Sequence, residues 1–70
     1  MMPLCLAERG EENVIMKVGG SPELKKHLED LGFVVGGRVT VVNALGENVI
    51  VNVKDTRVAI SQEMARKIMV

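Results

Sequence analysis

Apolar and polar residues alternate along most of this chain, and the period of the alternation changes from two to a helical spacing and back. Glu12 to Val18 predicts a strand, with Val14, Met16 and Val18 on one face and Asn13, Ile15 and Lys17 on the other. Gly19-Gly20 ends it. Leu24, Leu28 and Leu31 then recur at three- and four-residue spacing, which predicts a helix over Pro22 to Leu31 with one apolar stripe. Ser21 precedes it as a cap for free N–H groups, and Pro22 at the first helical position has no N–H to leave unpaired. Gly32 stands where a left-handed residue would stop the helix, and Phe33 follows at the position that touches Leu28 in a Schellman ending. After Gly36-Gly37 the period returns to two. Arg38 to Val42, Asn48 to Val53 and Thr56 to Ile60 predict strands, with Val39 and Val41 on one side and Val49, Val51 and Val53 inward. Asn43 to Glu47 predicts a turn built on Gly46. Lys54-Asp55 is a two-residue connection in which aspartate tolerates positive φ. Ser61 opens one helical turn, and Ile68 to Val70 adds a last short strand.

These elements predict a mostly β fold with short helices: a small five-stranded barrel, with one helix inserted after the first strand, in a single domain spanning residues 1–70. A strongly curled sheet of short strands buries its one apolar face by closing on itself. The helix would then cover one opening.

Composition narrows the function. Nine basic residues balance nine acidic ones, whereas a nucleic-acid binder usually carries a basic excess. Phe33 is the only aromatic residue, so there is no platform for stacking bases and one obvious plug for the core. Cys5 is the only cysteine, which excludes an internal disulfide and fits a reducing compartment. The apolar opening Met1 to Ala7 is too short for a signal segment or a membrane span. A cytoplasmic protein with no direct membrane insertion is expected.

Catalysis needs a nucleophile with a base, or paired carboxylates, converging in a pocket. One His, one Cys and no Tyr or Trp offer little for that, so neither an enzyme nor a cofactor is expected. Gly36-Gly37 precedes a strand, whereas a phosphate-binding loop opens a helix. Glu23, His27 and Asp30 fall at i, i+4 and i+7 on one helix face. Glu23 and His27 are the candidates for a metal, but two or three ligands leave a site open, and a solvated polar face is the simpler account. For partner binding the candidates are apolar residues at element ends: Leu31, Val34 and Val35 after the helix, and Leu45 at a turn tip.

Three motifs occur in order along the chain. Met2-Pro3-Leu4 is followed by Leu6 and Gly10. Leu31-Gly32-Phe33-Val34-Val35-Gly36 follows the helix. Val53 to Ile60 closes with Thr56-Arg57-Val58-Ala59. Together they resemble the FeoA family, small accessory proteins of ferrous iron uptake, over essentially the whole chain. Two positions depart from that family's pattern, Val35 in place of its proline and Asp55 in place of its glycine. The resemblance implies an SH3-like barrel and a cytosolic partner, the FeoB-type ferrous iron transporter; weak self-association is compatible with it. The alternatives are an SH3-like regulatory domain related to those of iron-dependent repressors, and a metal-binding protein.

Overall fold

A computed structural model describes all residues, 1–70. A short 3-10 turn, Leu4–Leu6, opens the chain. Strands β1 (Glu12–Val14) and β2 (Lys17–Val18) lead into helix α1 (Pro22–Asp30). Strands β3 (Arg38–Leu45), β4 (Asn48–Val53) and β5 (Thr56–Ser61) follow, then the single-turn helix α2 (Gln62–Ala65) and strand β6 (Ile68–Met69). The strands form an antiparallel sheet in the order β1-β3-β4-β5 and a smaller sheet of β2 and β6. The start of the chain extends the smaller sheet: Met2 and Val70 exchange backbone hydrogen bonds of 2.9 and 2.8 Å.

The run Glu12 to Val18 is not one strand. Its first part pairs with β3 and its last part with β6. Between them the chain changes sheets. The Ile15 N–H donates to the Gly37 carbonyl and the Ile15 carbonyl accepts from the Gly36 N–H, both at 2.8 Å, while the Met16 N–H donates to Met69 at 2.7 Å. The change of sheet breaks the alternation. Ile15, expected outward, is fully buried, whereas Val14 and Met16, expected inward, are 46% and 55% exposed. Val18 is buried as expected. The architecture is therefore SH3-like and mostly β, but with six strands in two sheets that do not close into one hydrogen-bonded barrel.

Helix α1 begins and ends as its sequence dictates. The Ser21 hydroxyl oxygen accepts from the Leu24 N–H at 3.2 Å. At the other end Gly32 has φ +108, with the Phe33 N–H donating to Leu28 and the Gly32 N–H to Glu29, both at 2.9 Å. These two bonds are the Schellman pair. Leu28 and Phe33 are fully buried, and Leu24 and Leu31 pack half-buried against the same core.

Strand β3 runs further than expected. Its register with β4 shifts between Val41 and Asn43, and it continues to Leu45, so that the turn shrinks to Gly46-Glu47. The bulge adds one residue without ending the pairing, so a polar Asn43 does not terminate the strand. The Lys54-Asp55 connection is as expected, with φ of 51 and 60. That conformation matches the twist of the flanking strands. The Ser61 hydroxyl oxygen caps α2 by accepting from Met64 at 3.1 Å. The core consists of 13 buried residues, all apolar, from both sheets, both helices and the opening turn.

Candidate functional site

Glu23, His27 and Asp30 all stand exposed on α1. No three His, Cys, Asp or Glu side chains come together in a way that could hold a metal ion. Cys5 is a free, half-buried thiol on the opening turn.

The contact candidates divide into two groups. Leu31 and Val34 are half-buried, and the Val34 carbonyl accepts from the Gly37 N–H at 2.9 Å to close a tight turn. Val35 stands at the apex of that turn, 66% exposed. The bonds from Gly36 and Gly37 to Ile15 fasten the turn to the β1–β2 junction. Val14 and Met16 stand on either side of buried Ile15, the residue to which the Val35 turn is fastened, and the Val14, Met16 and Val35 side chains are all exposed. Sequence reasoning missed Val14 and Met16 by assigning them to the buried face. Three consecutive apolar residues within one strand, Val14-Ile15-Met16, were the available signal, since alternation cannot bury all three. Beside them Arg38 pairs with Glu12 at 3.3 Å; both side chains are largely exposed, so the pair contributes little stability.

Leu45 lies elsewhere. Arg38, beside Val14 in register, begins β3, and Leu45 ends it. At about 3.3 Å per residue, roughly 23 Å separate the two ends of the strand. Val35, three residues before Arg38, and Leu45 therefore lie toward opposite ends of β3. Near the Leu45 end, a shallow groove runs between the opening turn, β3 and α2. Leu6, Arg9, Val41, Ala44, Val49 and Arg66 are among the residues that line it. Arg9 is held there by a 3.0 Å bond to the Asn43 side chain.

Two small antiparallel sheets around an aliphatic core, with a capped helix between the second and third strands, define a small SH3-like domain. The chain belongs to the FeoA domain family, whose sequence profile matches residues 2–70. It is 31% identical over its full length to the Putative Fe(2+) transport protein A of Methanocaldococcus jannaschii, covering 85% of that protein. It superposes on Stenotrophomonas maltophilia FeoA, solved in complex with zinc and described as a procaryotic SH3 domain protein, with a TM-score of 0.85. The identity is 27%, and 99% of this chain and 88% of that chain are covered. A manganese-dependent transcriptional repressor shares the fold at 14% identity and a TM-score of 0.85, with 94% of this chain matching 38% of that one.

Proposed function

We propose that this chain is a non-catalytic accessory protein of ferrous iron uptake that binds the cytosolic part of a FeoB-type membrane transporter. Family membership supports the iron connection, and the Stenotrophomonas protein has been put forward as a bacterial ferrous iron transport activating factor. The observation that carries the docking role is the exposure of Val14, Met16 and Val35 on two segments joined by backbone hydrogen bonds. A protein of this size with a net charge of zero has little reason to expose three aliphatic side chains there unless something covers them. Leu31 packs half-buried against the core, and Val34 is half-buried in the turn that carries Val35. The likeness to the repressor is one of fold and does not displace this reading.

The test is a titration of the protein against the transporter's soluble domain, with circular dichroism run alongside. Val35→Glu is expected to stay folded and to weaken binding by about 1–2 kcal/mol, the scale of one contributing interface side chain. Leu45→Glu, at the other end of β3, should bind as wild type does. Salt should have only a modest effect, because a neutral protein gives little long-range steering. Undiminished binding by folded Val35→Glu would remove the site. Failure of wild type to bind either the soluble domain or the whole transporter in detergent would remove the function.

A further inference from the structure

The four-stranded sheet ends on β5, and no strand pairs with the outer edge of β5. The two-residue turn makes Val53 and Thr56 a hydrogen-bonded pair, and hence also Val51 with Val58 and Val49 with Ile60. The intervening Arg57 and Ala59 therefore turn their N–H and C=O groups away from β4. Their backbones enter no turn, loop or cap bond, and both residues are exposed. Behind this edge two cross-strand rows, Leu45-Asn48-Ser61 and Asn43-Ile50-Ala59, traverse β3, β4 and β5. Neither row contains an ionisable residue, in a chain that is 26% charged. Edge strands that must stay single are often blunted by charges or a proline; the one charge on β5, Arg57, lies toward its start. The two central residues are Val58 and Ala59.

We infer that β5 is a self-association edge, at which two copies of this chain pair β5 with β5, antiparallel, about a two-fold axis through Ala59. The strand is complementary to itself in this register. Ala59 faces Ala59 of the second copy, where a larger side chain would crowd its own image. Arg57 faces Ser61, and Val58, now half-buried, lies opposite Ile60. Charge selects the register. With the axis at Ala59 the two Arg57 residues sit four positions apart, roughly 13 Å, which exceeds the Debye length of about 8 Å at physiological salt. An axis at Val58 would bring them to two positions, roughly 7 Å, within the range of repulsion. No acidic residue lies on β5 to favour a basic foreign strand instead. The closed two-fold arrangement uses up both edges and so stops at a dimer. One six-residue strand covers less than the roughly 1,200 Å² of a stable specific interface, so the dimer forms only at high protein concentration.

The test is sedimentation equilibrium on the full chain from micromolar to millimolar concentration, with amide exchange followed by NMR at both extremes. The expected result is a mass rising toward twice the monomer, with the Arg57 and Ala59 amides gaining protection as it rises. Ala59→Lys places two like charges face to face at the axis and should hold the protein monomeric. Ala59→Pro should do the same, because the amide it removes is not bonded to β4. Both variants should keep the wild-type circular dichroism spectrum. A wild type that stays monomeric at millimolar concentration would overturn the inference. So would association unaffected in folded Ala59→Lys, or protection that appears elsewhere. These readouts involve no transporter, so they stand or fall separately from the docking role of Val35.

Discussion

Gly32 shows how much one backbone position decides. It ends α1 with φ +108, and a Cβ added there would meet its nearest neighbour, the Lys54 Cδ, at an ordinary 3.4 Å. The space is available, so the requirement is conformational. Gly32→Ala should therefore destabilise the protein by about 1 kcal/mol or more, through backbone strain alone. Urea denaturation should show a lowered midpoint with an unchanged slope; an unchanged midpoint would contradict the Schellman ending. Ser61 is a second position of this kind. Its hydroxyl caps the single turn of α2, and Ser61→Ala should cost about 1 kcal/mol by the same measurement.

At the scale of elements, the junction between β1 and β2 determines which side chains the fold buries and which it shows. Ile15→Ala should cost about 2–5 kcal/mol, the range for truncating a fully buried aliphatic residue. Val14→Ala and Met16→Ala should each cost less than about 1 kcal/mol, since both side chains are about half exposed. Chemical denaturation of the three variants checks this directly. The opposite ranking would restore a continuous Glu12 to Val18 strand with Val14 and Met16 inward. The same geometry makes Val14 and Met16 available to a partner, as Val35 is.

At the scale of the molecule, size sets the margin. A core in a chain of 70 residues rarely supplies more than about 3–5 kcal/mol of net stability, so Ile15→Ala should remove much of the margin and unfold at the lowest urea concentration of the three variants. Val35 and Leu45 lie toward opposite ends of β3, so Val35→Glu and Leu45→Glu are expected to differ. Metal binding also depends on this scale. Glu23, His27 and Asp30 share a helix face, but no residue from another element reaches toward them to complete a ligand set. Anaerobic calorimetry with ferrous iron should show weak uptake or none, unchanged in His27→Ala. One tight equivalent lost in that variant would make α1 a metal site.

Much of the fold was legible because it is locally determined. Ser21, Pro22, Gly32 and Phe33 specify both ends of α1 through bonds made within the helix and its caps. Lys54-Asp55 specifies its hairpin through backbone twist, and Val49, Val51 and Val53 declare their inward face by a period that nothing interrupts. The family motifs likewise lie in continuous stretches. What the sequence could not determine were the events that depend on distant strands. Ile15 is buried because Gly36, Gly37 and Met69 draw the chain from one sheet to the other, a choice invisible in a run with three adjacent apolar residues. Strand β3 outlasts its polar Asn43 because β4 is there to pair with it through a bulge. The candidate surface followed the same division: Val35 could be placed on an exposed turn from sequence, but the fastening of that turn to the segment that exposes Val14 and Met16 arises only when the sheet junction forms.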